Sequence, residues 1–434
     1  MRSLLLSSAL LFVSQASATP YTVVDLGTLG GATSQAHGIN AQGWVVGESQ
    51  TAAGATHAFR WRDGSMTDLG LNGSIAIGRA VNDLGQIGGY YYSSSYEAFR
   101  WSGTSEQDLG DLGARYAAAY AINGSGHVAG SSYTKDFREH AFLFGGHTMT
   151  DLGTLGGEYS TARGLNDGDQ AVGFAYLANG SFHAFVTENG QMRDLGTLGG
   201  DNSAAHAINN AGQVVGQAYL TGNASAHAFL WGGSGSLVDL GALPGGTYSE
   251  AHALDSNGQR IVGAATVPST NDYLAYHAFL WQAGTMRDLN DDIPAGSGWV
   301  LEDAAGVNDA GQIVGTGTRN GARRAFLLRP TSPIGIPMPE IPRTLTLSPV
   351  APNPTRDATV LSYGLPRDGQ VSLVVLDASG RSVRTLASGP LPAGPHTARW
   401  DLKSDAGRTV GSGVYFIQLA LDDETRTVRT IVER

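Results

Sequence analysis

The sequence has no cysteine among its 434 residues and only two lysines, Lys135 and Lys403. The absence of cysteine excludes disulfides, a thiol nucleophile and cysteine-based metal sites. Charged residues are also scarce, at 15% of the chain, and residues 19–328 carry 28 acidic side chains against 14 basic ones, a net charge of −14. Because nucleic-acid binding requires clustered Lys and Arg, this composition argues against a nucleic-acid partner.

Long apolar runs are absent apart from one at the N-terminus. Arg2 is followed by an apolar stretch, Leu4–Val13, and by the small residues Ala16-Ser17-Ala18. This order is typical of a secretory signal peptide, which we assign to residues 1–18. The run is shorter than the roughly 20 residues needed to span a bilayer. The sequence therefore predicts an exported protein without a transmembrane segment.

Four short strand-like phrases recur in a fixed order through most of the chain. Examples of the four are Gly38-Ile39-Asn40, Trp44-Val45-Val46-Gly47, His57-Ala58-Phe59-Arg60-Trp61 and Asp25-Leu26-Gly27. The Asp of the last phrase returns every 40 to 49 residues, at Asp25, Asp68, Asp108, Asp151, Asp194, Asp239 and Asp288. A period near 40–50 residues made only of short strands is typical of a β-propeller, with one blade per repeat.

The order of the phrases indicates how the ring closes. The first Asp-Leu-Gly phrase precedes all the others, and the last repeat lacks one. We therefore predict that residues 20–27 supply the outer strand of the seventh blade, with Val23 and Val24 beside Phe326 and Leu328. Closure of this kind removes open sheet edges. The expected fold over residues 19–328 is an all-β, seven-bladed β-propeller closed by its N-terminal strand.

The His of the third phrase and the Asp of the fourth are expected to meet. Pairing Trp61 with Met66 places His57 diagonally opposite Asp68 on one face of the sheet. A dyad repeated in five blades is better explained by a structural role than by catalysis. Two blades depart from the pattern, with Glu97 beside Asp108 and Arg324 beside Asp25, where an ion pair is expected.

No catalytic or metal-binding motif is found. Groups such as Asn166-Asp167-Gly168-Asp169 lack the spacing of a Ca²⁺ loop and are interpreted as Asx-type hairpin turns. His37, His206 and His252 recur at one repeat position without a clustered ligand set. The sequence has no His-Glu-x-x-His, Gly-x-Ser-x-Gly or Walker motif. It therefore predicts no catalytic residue, no metal site and no cofactor.

The last part of the chain has a different organisation. Residues 329–344 contain five prolines and no repeat phrase, as in a stiff linker. Residues 345–434 contain several short strand-like runs separated by turns such as Asp377-Ala378-Ser379-Gly380. This pattern predicts an immunoglobulin-like β-sandwich.

Both parts resemble known families. The repeats, with Asp151-Leu152-Gly153-Thr154-Leu155-Gly156-Gly157 and His227-Ala228-Phe229-Leu230-Trp231, resemble the bacterial extracellular HAF-repeat family. The last 90 residues resemble flagellar-hook-cap-type Ig-like domains and the related type IX secretion sorting domains. The resemblance is carried by Pro352-Asn353-Pro354-Thr355, Leu365-Pro366, Trp400-Asp401, Ser412-Gly413-Val414-Tyr415-Phe416 and a basic tail from Arg426 to Arg434. It implies export across an outer membrane by dedicated machinery and a location at, or release from, the cell surface.

Aromatic residues in the variable loops are the candidate ligand-binding residues. Tyrosine combines an apolar face with a hydroxyl, which suits sugar or peptide contacts, although ordinary β-surface tyrosines remain an alternative. The candidates are Tyr116, Tyr159, Tyr248, Trp299, Tyr91 and Tyr276.

Three functions are compatible with these observations. The favoured one is a secreted or cell-surface, non-enzymatic scaffold that binds an extracellular glycan or protein. A polysaccharide hydrolase or lyase using acids such as Glu158, Asp201 or Glu250 is an alternative based on fold analogy. The third is a structural component of the envelope.

Overall fold

The computed structural model describes residues 20–71, 73–103, 105–268, 275–331, 344–348, 353–355, 359–367, 369–391, 394–405, 407–422 and 424–433. Contacts divide the chain into two compact units, Met1–Pro333 and Ile334–Arg434. The predicted signal peptide lies outside the described residues, as does most of the predicted linker. Both units are built from β-strands, which confirms the all-β class.

The first unit contains seven groups of four antiparallel strands, called sheets 1 to 7, and a single parallel pair, Thr56 with Ile75, joins sheets 1 and 2. The first strands of sheets 1 to 7 are β2 Gly30–Ile39, β6 Ile75–Val81, β10 Gly113–Ile122, β14 Gly156–Leu165, β18 Gly199–Ile208, β22 Ser249–Leu254 and β26 Trp299–Val307. The second strands are β3 Val45–Thr51, β7 Ile87–Tyr92, β11 Val128–Thr134, β15 Ala171–Leu177, β19 Val214–Leu220, β23 Arg260–Val267 and β27 Ile313–Arg319. The third strands are β4 Thr56–Arg62, β8 Tyr96–Trp101, β12 Glu139–Phe144, β16 Phe182–Glu188, β20 Ala226–Trp231, β24 Ala275–Gln282 and β28 Ala322–Pro330.

The fourth strands are short and come from the Asp-Leu-Gly phrases. In sheets 1 to 6 they are β5 Ser65–Asp68, β9 Glu106–Asp108, β13 Met149–Asp151, β17 Gln191–Asp194, β21 Val238–Asp239 and β25 Thr285–Asp288, the last followed by a 3₁₀ helix, Leu289–Asp292. In sheet 7 the fourth strand is β1, Tyr21–Asp25, from the opposite end of the unit.

Strand β1 pairs with β28 of the last repeat. Val23 lies opposite Leu328 and Val24 opposite Leu327. Beyond β1, the amide of Leu26 donates a hydrogen bond of 3.1 Å to the carbonyl of Ala325. The first strand of each sheet contacts the first strand of the next sheet, and β26 of sheet 7 contacts β2 of sheet 1. The first and last repeats are therefore neighbours.

The repeated Asn joins neighbouring sheets. Its side-chain amide donates to a main-chain carbonyl at the same position of the next repeat, as in the 3.1 Å bond from Asn40 to Asn82. The same bond, at 3.0 Å, runs from Asn308 of sheet 7 back to Asn40 of sheet 1. In the sixth repeat the Asn is replaced by Asp255, which forms a buried ion pair with Arg260 at 3.1 Å.

The predicted His–Asp pairs are confirmed in five sheets. His57 Nδ1 lies 2.6 Å from a carboxylate oxygen of Asp68, in the predicted register that pairs Trp61 with Met66. The equivalent pairs are His140–Asp151, His183–Asp194, His227–Asp239 and His277–Asp288. Each Asp also accepts an amide hydrogen two residues on, for example from Gly70. The Asp thus ties two strands together and shapes the turn that follows.

The expected ion pair between Arg324 and Asp25 is wrong. Asp25 instead pairs with Arg319, 2.9 Å away, and Arg324 donates to the carbonyl of Ala32 in sheet 1. The prediction considered only partners within the same sheet, whereas the Arg324 side chain is long enough to reach the neighbouring sheet.

The second unit is a two-sheet structure. One sheet contains β29 Thr346–Leu347, β30 Thr359–Leu365 and β33 Gly394–Trp400, and the other has the order β32 Ser382–Leu391, β31 Gly369–Leu376, β34 Gly413–Leu421 and β35 Glu424–Val432. Trp400 is fully buried in its core, and the indole N–H donates to the carbonyl of Lys403 at 3.0 Å.

Candidate functional site: the central cavity

Each of the seven first strands has a β-bulge at the same repeat position. In sheet 1 the register shifts between Ala36 and Gly38, so that His37 is an extra residue without a partner on β3. A bulge redirects the side chain of the extra residue and often lies beside a functional site. The extra residues of sheets 1 to 7 are His37, Arg79, Tyr120, Arg163, His206, His252 and Ala305.

The glycine of the Val-Val-Gly phrase is explained by this bulge. Gly47 lies opposite Ala36, and a Cβ added to Gly47 would overlap the carbonyl oxygen of Gln35. The six equivalent glycines are equally close to the strand that they face. Only glycine permits this close approach of two strands.

The seven bulged residues surround one cavity. Together with Glu250 and Asp303, they line a space of about 290 Å³. Glu250 and Asp303 each precede a bulged residue by two positions, on β22 and β26. The residues at the seven bulged positions, together with Glu250 and Asp303, therefore determine the chemistry of the cavity.

Four of the lining residues form a network of acids and histidines. His252 Nδ1 lies 2.8 Å from Asp303 Oδ1, and His252 Nε2 lies 3.4 Å from Glu250 Oε1. His206 Nε2 lies 2.9 Å from the same oxygen of Glu250. Tyr248 donates to the other oxygen of Glu250 at 2.8 Å. Glu250 is thus fixed from three sides.

The network gives its two histidines opposite charge states. Burial lowers the pKa of His252, but Asp303 and Glu250 outweigh burial and raise that pKa to about 10. Burial lowers the pKa of His206 to about 4, even with Glu250 beside it. Burial raises the pKa values of Glu250 and Asp303, but contacts with the histidines hold both below their usual ranges. At neutral pH the network therefore contains one imidazolium, one neutral imidazole and two carboxylates.

These pKa shifts predict a stability maximum of the network near pH 6.5. The contribution of His252 is complete below pH 6.5 and is lost as the pH rises through about 10. The contribution of neutral His206 is complete above pH 6.5 and is lost as the pH falls towards about 4. Proton NMR of the imidazoles should show His252 still protonated at pH 8, and Asp303→Asn should lower its pKa. Titration of His252 near 6.5 in the unaltered protein would contradict this assignment.

Two arginines supply positive charge to the cavity. The Arg79 guanidinium carbon lies 5.5 Å from the centre of the Tyr120 ring, and among the described residues none accepts a hydrogen bond from the Arg79 side chain. Arg163 stacks on Phe174 at 5.2 Å, and its Nη1 lies 3.0 Å from His206 Nδ1. Because neutral His206 accepts a single hydrogen bond there, Arg163 keeps further donors for a ligand.

The lining is positive, whereas the unit around it is acidic. Arg79, Arg163 and protonated His252 face two carboxylates, Glu250 and Asp303. Guanidinium groups form strong bidentate hydrogen bonds with carboxylates, and fixed carboxylates accept hydrogen bonds from hydroxyls. The cavity is therefore suited to a small ligand that carries both an acidic group and hydroxyl groups.

Of the six aromatic residues predicted from the sequence, two are exposed, two are half-buried (Tyr116 and Tyr248) and two are buried. Tyr159 and Tyr276 are 44% and 48% exposed. Tyr276 contacts Tyr248 edge to face at 6.0 Å, so these two candidates are brought together. Tyr116 stacks on Tyr133 with 4.4 Å between ring centres.

The other two candidates are buried. Tyr91 is a core residue whose hydroxyl donates to Glu97, and Trp299 packs on Phe326.

Of the three acids considered for catalysis, one lies in the cavity. Glu250 is a lining residue, whereas Glu158 forms an ion pair with Arg138 and Asp201 accepts from Asn223 at 2.6 Å.

Sequence reasoning missed Arg79, Tyr120, Arg163 and Asp303. For the first three a signal was present, since the residue three positions before the repeated Asn is mostly polar and differs between repeats, whereas Asp303 lies outside this position. The flanking residues, by contrast, are small or apolar.

Among the described residues, none of the helices has the length and hydropathy to cross a membrane, and no group of three or more His, Asp or Glu residues is arranged to hold a metal ion.

The fold defines an all-β repeat protein with a central cavity, followed by a smaller β-domain. The sequence profile described as "Protein of unknown function (DUF3466)" matches residues 30–329, more than half of the chain, so the chain belongs to that family. The profile of the FlgD Ig-like domain matches residues 357–424, and the C-terminal unit therefore contains an Ig-like domain, as predicted. Curated proteins show no significant sequence match.

Three of the similar solved structures share 11–15% sequence identity with this chain. A fungal alcohol oxidase of the AA5 family, in complex with copper, is 11% identical, with 96% of this chain and 100% of that chain covered and a TM-score of 0.45. PorZ, a surface component of the type IX secretion system of Porphyromonas gingivalis, is 12% identical, with 92% and 70% covered and a TM-score of 0.32. TolB from Acinetobacter baumannii is 15% identical, with 67% and 80% covered and a TM-score of 0.37. Similarity at this level carries no argument about function.

Proposed function

We propose that the protein is an exported, non-enzymatic glycan-binding protein whose first unit is a seven-bladed β-propeller closed by β1. Its central cavity binds an acidic sugar unit. The observation that carries this proposal is the set of seven bulges, which direct Arg79, Arg163 and Tyr120 into one small cavity with the Glu250–His252–Asp303 network.

The propeller is supported by the contacts between the first and last repeats. The pairing of β1 with β28, the contact of β2 with β26 and the bond from Asn308 to Asn40 all join sheet 7 to sheet 1. Each of the seven sheets has four strands, as expected for propeller blades.

The ligand class follows from size and charge. A cavity of about 290 Å³ is at the lower limit of small-molecule sites and does not admit a folded protein surface, so it favours one sugar unit over a protein partner. The two arginines donate hydrogen bonds to the carboxylate of the ligand. Glu250 and Asp303, which His252 orients, accept hydrogen bonds from the sugar hydroxyls.

Export and surface location are part of the same proposal. They are supported by the signal-like residues 1–18, by the Ig-like domain and by the basic tail, in which Arg426, Arg429 and Arg434 lie close to the chain end. We assign the C-terminal domain the role of a type IX sorting domain and the repeats to the HAF type, on the motifs given above.

The proposal predicts binding of uronic acids through the cavity arginines. In calorimetric titration of the purified full chain with galacturonate and its oligomers, Arg79→Ala and Arg163→Ala should each weaken binding at least about tenfold, because a hydrogen bond to a charged group contributes about 1.5–3 kcal/mol. The control is Arg193→Ala, which should leave the affinity unchanged. Arg193 lies on the outer strand β17 and pairs with Glu188.

Two results would contradict this function. Equal affinity in all three variants would exclude the cavity as the site. Release of shortened or unsaturated sugars during the titration would show enzymatic activity. Glu250 would then be the first residue to test for a catalytic role.

A further inference from the structure

Aromatic side chains extend outward from the cavity in three directions. The first run begins at Tyr120 in the cavity wall and continues over sheets 2 and 3. Its successive ring centres are 4.4–6.1 Å apart. In order its members are Tyr120, Tyr90, Tyr96, Tyr116 and Tyr133, with Tyr92 packed beside Tyr96.

The second run begins at Glu250 in sheet 6. Tyr248 donates to Glu250, and the Tyr248 ring contacts Tyr276, which is 48% exposed. The third run begins where Arg163 stacks on Phe174 in sheet 4. From there it passes through Phe182 and Tyr176 to the exposed Tyr159.

The first and second runs lie on opposite sides of the cavity. Sheets 4 and 5 separate them in one direction around the ring, and sheets 7 and 1 separate them in the other. The third run, on sheet 4, is next to sheet 3 and is not opposite either of them. A linear molecule that crosses the cavity in a straight line therefore meets the first and second runs.

We propose that this surface binds an internal stretch of an acidic polysaccharide, with one uronate in the cavity and flanking sugars on Tyr96 and Tyr276. This inference rests on the proposed function and names the form of its ligand. Tyrosine rings present an apolar face for a sugar ring and a hydroxyl at the edge. Tyr96 is 36% exposed, and it lies beside further cavities of about 220 Å³ and about 370 Å³ that continue the surface.

The test compares chain length and tyrosine variants in the full chain. With galacturonate oligomers from monomer to hexamer, affinity for the unaltered protein should rise at least about tenfold with length. Tyr96→Ala and Tyr276→Ala should each weaken hexamer binding about threefold to tenfold and leave monomer binding unchanged. Tyr96→Phe keeps the aromatic ring and should therefore retain most of the hexamer affinity that Tyr96→Ala loses. Thermal melts should confirm that each variant is folded.

Tyr159→Ala is the matched control, because the exposure of Tyr159 lies between those of Tyr96 and Tyr276 but Tyr159 belongs to the third run. Loss of hexamer binding in this variant would overturn the proposed path. Loss of hexamer affinity in Tyr96→Ala but not in Tyr276→Ala would overturn binding of an internal stretch, because the cavity would then hold a chain end. Monomer and hexamer binding with equal affinity would overturn the extended site and leave the proposed function intact. Absence of binding to every oligomer would contradict the proposed function itself.

Discussion

Alanine in place of Asn123 is expected to lower the free energy of unfolding of the repeat unit by about 2–4 kcal/mol. The buried Asn123 side chain donates to the carbonyl of Asn166 at 3.1 Å and to Asp169 at 2.9 Å, in the next sheet. Its oxygen accepts from the amides of Ser125 and His127. Each buried polar group left without a partner costs about 1–3 kcal/mol. Urea denaturation or calorimetry of the full chain measures the change.

Asn210 provides the control for this prediction. It also joins neighbouring sheets, since it donates to the Asp167 carboxylate at 2.7 Å and accepts from the Asp167 amide at 2.9 Å, but it is exposed to solvent. Because water replaces its partners, Asn210→Ala should change stability by less than about 0.5 kcal/mol. Equal effects of the two substitutions would show that the buried Asn bonds do not hold the sheets together.

Proline at Val24 is expected to destabilise the same unit by about 2–4 kcal/mol. In an antiparallel pair, residues alternate between those that exchange hydrogen bonds and those that do not. Leu26 donates to Ala325, so Val24, two residues earlier and opposite Leu327, also bonds to β28. Proline removes that donor and detaches the strand that joins the chain start to the last repeat.

Val23 allows a matched comparison one residue away. It has similar burial, but its amide points away from β28 and towards the sheet edge. Proline is tolerated at edge positions of this kind. Val23→Pro should therefore cost much less than Val24→Pro in a thermal melt. If both variants melt alike, the β1–β28 pairing does not stabilise the unit.

Much of the strand pattern of the first unit could be predicted from the sequence because repetition amplifies weak signals. A single Ala-Phe phrase is compatible with many structures, but seven occurrences at a regular period, five of them preceded by His, define a strand. The register of Trp61 with Met66 and the contact of His57 with Asp68 followed from strand geometry alone. The same reasoning failed for Arg324, whose partner belongs to another sheet.

The cavity was not predicted because a bulge breaks the rule by which strands are interpreted. Strict two-residue alternation does not indicate that Arg79 or Arg163 is an extra residue that faces the centre. The sequence pattern placed Trp299 in a variable loop, whereas it is the first residue of β26 and is buried. Tyr91 is buried for a similar reason, since it lies within β7 and its ring faces the core.

The bulges also separate the main-chain pairing of this protein from its selectivity. His37 and the six residues equivalent to it lie outside the pairing of the strands, so exchanging one of them alters the cavity without removing a main-chain bond. Ala305 at the seventh position shows that a small residue is tolerated there. Related chains are therefore free to change what they recognise by substitution at seven sites, while the surrounding framework stays the same.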